Sequence, residues 1–242
     1  MIPTLRRCVP PPLWRSASRV RLWRDTHRTW RLHGTHEGLK FTIRDSHERQ
    51  YVYAPYEPDV AAAISGVLRP GMVCADVGAH IGYMTVLMAK KVGHAGSVYS
   101  VEPSTRNLAQ LRKNLRLNGA ENVQVVEAAA TNADGTAYLV DGEASAMNRL
   151  GPEGTSVRTI RLESLLAQTE IGFIKLDVEG ADREAVEGMG TLLTVQRPVI
   201  LIEGHDEPTV LALDHLRSLN YRVRPIGGGR HFLCASTGRM TT

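Results

Sequence analysis

The chain predicts an α/β fold: an open sheet, parallel through its centre and ended by a hairpin. Three observations carry this expectation. Between Val73 and Leu219 short apolar runs alternate with longer helical patterns, which implies parallel pairing and right-handed crossovers. Two last runs, Tyr221 to Pro225 and Phe232 to Ala235, read as a terminal strand pair. The run Phe173 to Gly180 places an ammonium and two carboxylates on an otherwise apolar strand. Side chains alternate across a strand, so Lys175, Asp177 and Glu179 are expected on one side and Ile174, Leu176 and Val178 on the other. In open α/β sheets the carboxyl edge of such strands, where strand order reverses, is where ligands bind.

Taken in order, Gly38 to Ile43 and Tyr51 to Ala54 alternate polar and apolar residues as a short hairpin does. Pro55 and Pro58 break that pattern, and Val60 to Leu68 reads as a helix stopped by Arg69-Pro70-Gly71. Strand Val73 to Val77, helix Ile81 to Lys91 and strand Val98 to Val101 follow. Helix Ser104 to Leu117 comes next, capped by Ser104 and closed by Gly119, and then strand Val123 to Ala128. Thr136 to Val140 and Val157 to Arg161 read as short strands around a polar loop, Asp141 to Gly154, before a short helix at Leu162 to Leu166. The alternation resumes with strand Phe173 to Val178, helix Ala181 to Leu193, strand Val199 to Glu203 and helix Pro208 to Leu219.

A chain of 242 residues, 43% of them hydrophobic, suits one large α/β domain or two small ones. Cys8, Cys74 and Cys234 are odd in number and in no metal-ligand spacing, as in a reduced, cytoplasmic protein. The longest apolar runs fall far short of the roughly 20 residues of a membrane helix, so no membrane partner is expected. The formal charge of +4 is unevenly placed: residues 1–40 carry a net +7 and the remaining 202 a net −3. Residues 1–37 therefore read as a basic arm or lid, with Trp14, Trp23 and Trp30 among its arginines, and residues 38–242 as the catalytic domain. Such an arm is an organelle leader, a nucleic-acid-binding segment or an amphipathic stretch docked on the domain.

The second informative stretch, Asp76-Val77-Gly78-Ala79-His80-Ile81-Gly82, lies where a strand turns into a helix. Gly78 is expected to let a ligand approach the backbone, and Gly82 to let the helix start close to the sheet. Some 20 residues on, Glu102 is placed to accept hydrogen bonds from both hydroxyls of a ribose. Asp76 repels a pyrophosphate but attracts the ammonium of a methionine moiety, so the turn suits S-adenosylmethionine better than a dinucleotide.

These residues resemble a known family. Tyr56-Glu57-Pro58, Asp76 to Tyr83, Val101-Glu102-Pro103, Ile174 to Asp182 and Val199 to Glu203 are similar to successive signatures of the FkbM-type methyltransferases, over about Gly38 to Arg224. The resemblance implies the class I methyltransferase fold, a Rossmann-like seven-stranded mixed sheet of order 3-2-1-4-5-7-6 with helices on both faces. It also implies O-methylation of a sugar, nucleoside or natural-product hydroxyl, as in antibiotic biosynthesis. Members commonly have Asn in place of His80 and Glu in place of Asp182. The implied cofactor residues are Asp76, Gly78, Ala79, His80, Gly82, Glu102, Pro103, Tyr56 and Glu57.

In that strand order the reactive methyl and the acceptor meet near Asp177. An alcohol needs help to lose its proton, which a divalent cation or a base supplies. Asp177 at one strand end, with Glu203, His205 and Asp206 at the next, offers a ligand set suited to Mg2+ through its hard carboxylate oxygens. Without metal, Asp177, Glu179 or His205 is the base, with Lys175 fixing the carboxylates. His36, His47 and His231 fall in no constellation. Two other functions fit less well: an RNA methyltransferase that tracks phosphates with the arm, and a non-catalytic S-adenosylmethionine-binding module. A homodimer is compatible with the chain.

Overall fold

Seven strands form the main sheet of the computed structural model, which describes residues 24–26, 28–32, 36–142, 145–204 and 206–236. In chain order the strands are β1 (Trp30–Arg31), β2 (Lys40–Phe41), β3 (Val73–Val77), β4 (Ser97–Val101), β5 (Val123–Val126), β6 (Ala129–Ala130), β7 (Gly135–Val140), β8 (Arg149–Gly151), β9 (Thr155–Ile160), β10 (Phe173–Leu176), β11 (Val199–Glu203), β12 (Tyr221–Ile226) and β13 (His231–Ser236). The helices are α1 (Gln50–Tyr53), α2 (Pro58–Val67), α3 (Tyr83–Val92), α4 (Thr105–Leu117), α5 (Leu162–Leu166), α6 (Asp182–Glu187) and α7 (Glu207–Ser218). The main sheet runs β12-β13-β11-β10-β3-β4-β5. Its five strands from β11 to β5 are parallel, and β13 is antiparallel to both β11 and β12.

A central parallel strand is covered on both faces, which is why β10 and most of β11 are buried at every position. Alternation still sorts them: Phe173 and Leu201 join one core with Phe41, Leu87 and Leu111, while Ile174, Ile200 and Ile202 join the other with Leu162 and Leu216. Helix α4 buries Leu108, Leu111 and Leu115 on one stripe, and its cap Ser104 accepts the Asn107 N–H at 3.4 Å.

Four expectations are corrected. Gly38 to Ala54 is no hairpin, because β2 pairs antiparallel with β1 and residues Gln50–Tyr53 form a helical turn. The polar loop is partly ordered: β8 closes a second sheet of order β6-β9-β7-β8 over a small core of Ala129, Leu139 and Val157. The charged strand ends at Leu176, so alternation does not extend to Glu179. Helix α6 ends at Glu187, and a separate π-turn, Leu192–Gln196, follows Gly190 at φ +47°.

The described part of the basic arm packs on the domain. Arg49 Nε is 2.7 Å from Asp25, Leu32 is buried, the Trp30 ring lies 5.1 Å from that of Tyr53, and the Arg28 guanidinium stands over the Trp30 ring at 4.3 Å. Trp14, Trp23 and Cys8 lie outside the described residues. Cys74 and Cys234 are buried free thiols. Among the described residues no helix is long and apolar enough to cross a membrane.

Candidate active site

The carboxyl ends of β3, β4, β10 and β11 open into one cleft, whose empty space is about 830 Å3 with its open mouth included. Of the residues singled out in the sequence, Tyr56, Gly78, His80, Glu102, Pro103, Asp177, Glu179 and Glu203 line it. The second sheet contributes Leu139, Asn148, Arg149 and Leu150, so the segment expected as a loop forms part of the cleft.

On the first wall, the turn after β3 runs through three left-handed residues, Gly78 at φ +79°, His80 at +50° and Gly82 at +88°. A Cβ on Gly78 would lie 1.7 Å from the Asp177 carbonyl oxygen, so the neighbouring strand end itself requires glycine there. At Gly82 a Cβ would lie 2.5 Å from Leu111, which lets α3 seat against α4. The turn aims the His80 N–H at Glu102 Oε2, 2.8 Å away; Oε1 accepts from Ser104 N–H at 3.0 Å and Asn107 Nδ2 at 3.1 Å. Burial pushes the Glu102 carboxyl up in spite of these bonds. A carboxylate has about four lone-pair sites, so one remains, on Oε2.

Asp76, Ala79 and Gly82 are not on the cleft surface. The Asp76 carboxylate is buried, accepts from Thr85 Oγ1 at 2.5 Å and stands 3.8 Å from Lys175 Nζ. It thus faces Lys175 from beneath the cleft surface. Ala79 spends its N–H on the Val101 carbonyl at 3.0 Å. Burial lowers the His80 imidazole to about 4, with Arg44 adding to the effect, so it is neutral near pH 7.

The second wall carries the charge. Lys175 is buried and donates to Asp177 Oδ2 at 2.9 Å, while the Asp177 side chain keeps 32% exposure toward the cleft. Burial opposes the charge on Lys175, but Asp177, Asp76 and Glu203 outweigh it and hold the ammonium protonated. Burial, with Glu203 and Asp76 behind it, pushes the Asp177 carboxyl up against the pull of Lys175. Glu179 is exposed and outside this ion pair.

His231 is the residue that sequence reasoning missed. In the β11–β13 register it lies directly opposite Glu203, and its Nε2 is 3.1 Å from Glu203 Oε2 and 3.9 Å from Glu57 Oε1. Pairing the terminal hairpin against β11 is the signal that finds it. Burial works against charge on His231, but the Glu203 and Glu57 carboxylates raise it. Burial likewise acts upward on Glu203, yet His231 and Lys175 bring it below the usual carboxylate range. Glu57 is pushed up by burial and by Glu203.

Of the expected metal set, Asp177 is paired with Lys175, Glu203 faces His231, and His205 lies outside the described residues. His36 is buried, stacked 4.0 Å from the Tyr83 ring and bonded to its carbonyl, a core histidine lowered to about 4 by burial.

The family model described as the methyltransferase FkbM domain matches residues 76–223, more than half of the chain. The chain belongs to this family. A solved FkbM methyltransferase from Methylobacillus flagellatus is similar, with 19% identity, a TM-score of 0.52, 71% of this chain covered and 50% of that one. This chain thus spans half the length of that relative. A provisionally named rRNA-methylase from Clostridium thermocellum matches at 13% identity and TM-score 0.50, over 80% of this chain and 96% of that one. An S-adenosylmethionine-dependent O-methyltransferase from Thermotoga maritima is 13% identical, with TM-score 0.49 and coverages of 78% and 68%. At these identities the likeness to the first two structures establishes the fold alone. No curated protein matches.

Proposed function

We propose that the protein transfers the methyl group of S-adenosylmethionine to a hydroxyl of a small molecule, a sugar, nucleoside or other natural product. One observation carries the reading. A charged Lys175–Asp177 pair stands at the end of β10, facing a cleft whose other wall holds a buried, anchored carboxylate, Glu102.

The cleft suits the cofactor. Glu102 keeps one acceptor site for a ribose hydroxyl, Pro103, Ala129 and Leu139 offer apolar surface, and Glu102, Asp177, Glu179 and Glu203 give a negative lining that favours a sulfonium cation. S-adenosylmethionine supplies an activated methyl group when bound. The residues of the chain then have two tasks, to orient the acceptor oxygen and to take its proton. Asp177 takes the proton, since burial makes its carboxyl a stronger base than an exposed one, and Lys175 fixes its orientation and balances its charge. Glu203 and His231 flank the place where the hydroxyl sits, and the β8 segment with Asn148 and Arg149 covers the acceptor.

Incubation with labelled S-adenosylmethionine and a panel of sugars, nucleosides, polyketides and RNA tests this. Transfer to a small-molecule hydroxyl is expected. Transfer confined to RNA, or S-adenosylhomocysteine binding without transfer to any class, overturns it.

A further inference from the structure

The Asp177 reading gives Glu57 no task and leaves its grouping with Glu203 and His231 unexplained. Glu57, Glu203 and His231 come from the start of α2, the end of β11 and the start of β13, and one donor atom from each lies within 4.8 Å of the others. A cross-strand Glu203–His231 ion pair does not need the third member. Two carboxylates side by side repel, and one imidazole carries at most one positive charge. Glu57 is nonetheless held there by a left-handed backbone, φ +45° and ψ +59°, which a residue with a Cβ rarely adopts. His231 is 91% buried, and its Nε2 has no aligned hydrogen-bond partner despite lying 3.1 Å from Glu203.

From this geometry we infer that Glu57, Glu203 and His231 form a binding site for a divalent first-row transition metal ion on the acceptor side of the cleft. Zinc-type ions bind imidazole nitrogen and carboxylate oxygen at about 2.0–2.2 Å, which puts two ligands of one ion roughly 3.0–3.5 Å apart. The His231–Glu203 distance of 3.1 Å already fits, while the 3.9 Å to Glu57 and a Glu57–Glu203 separation within 4.8 Å require Glu57 to turn inward. One imidazole with two carboxylates selects an ion of the zinc, iron or manganese kind over magnesium, which prefers oxygen donors and water. Three protein ligands leave a position open, and Glu203 places it at the cleft. An acceptor hydroxyl bound there would be acidified beside Asp177. The site shares its wall with the proposed methyl transfer but stands on its own geometry.

Binding is therefore read apart from turnover. The full chain, without a polyhistidine tag and stripped with EDTA, is titrated with Co2+ by visible absorption and with Zn2+ by calorimetry. One equivalent of each is expected. Glu57→Gln and His231→Gln should each weaken binding about tenfold or more and abolish the cobalt bands, with Asp177→Asn leaving both intact and circular dichroism confirming the folds. Absence of a one-equivalent site in the wild type overturns the inference, as does binding that survives both variants. Methyl transfer that proceeds in either case leaves the proposed function standing.

Discussion

On the wall holding Gly78, His80 and Glu102, three donors from residues 80–107 anchor the Glu102 carboxylate, and the His80 ring reaches Tyr51 at 3.3 Å. The opposite wall gathers Glu57, Asp177, Glu203 and His231 from four distant segments, and its carboxylates outnumber its cations. The first wall is a rigid seat built by local chain geometry. The second holds charges in an arrangement that the fold alone does not require, and such crowding marks chemistry more than stability.

The sharpest way to break the comparison is at its hinge. Gly78→Ala would drive a methyl group into the Asp177 carbonyl at a left-handed φ, so it should cost about 3 kcal/mol or more. Thermal unfolding would then show a melting temperature roughly 6–12 °C lower. A near-unchanged melting temperature would mean that the two walls are not locked through this contact.

Next in size is Glu102→Ala. Loss of one charge-assisted bond should weaken S-adenosylhomocysteine binding in calorimetry by about 1–3 kcal/mol. Because Glu102 also anchors the His80 turn and the start of α4, Glu102→Gln serves as the control that keeps the shape. Both variants retaining wild-type affinity would remove this wall from cofactor binding.

A smaller effect belongs beneath the second wall. Asp182 is buried, and burial raises its carboxyl to about 7, with Asp206 and Asp177 contributing. Thr209 Oγ1 lies 3.1 Å from Asp182 and 2.6 Å from Asp206, and its one proton serves one carboxylate at a time. The folded state therefore binds the Asp182 proton more tightly than the unfolded chain does. Stability from this group is full below about pH 4 and is lost as pH rises from there through about 7. Melting temperature should fall by roughly 5–10 °C between pH 5 and 8. Asp182→Asn should flatten that part of the profile, and an unchanged slope would refute the assignment.

The same contrast explains what was legible in the sequence. The first wall is a contiguous motif with Glu102 at the next strand end, so turn chemistry and strand alternation sufficed to locate it. Even there the partners differ, since Gly78 makes room for Asp177 and Asp76 holds Lys175. Lys175 and Asp177 were readable because two charges in an apolar strand are expensive, yet the strand ends before Glu179 and separates it from them. His231 became visible only through the β11–β13 register, a long-range pairing that local pattern does not encode. Tyr51 to Ala54 read as strand because four residues cannot separate a helical turn from an alternating run, and its supposed partner β2 pairs with the basic arm instead.

The central claim is that one wall seats the cofactor while the other performs the chemistry. Asp177→Asn keeps the shape and removes the charge, so turnover on the true acceptor and S-adenosylhomocysteine affinity, measured on the same preparation, test it most directly. The account predicts turnover lower by about a hundredfold or more with affinity within about twofold of wild type. Turnover near wild type would contradict it and leave the Lys175–Asp177 pair a structural one.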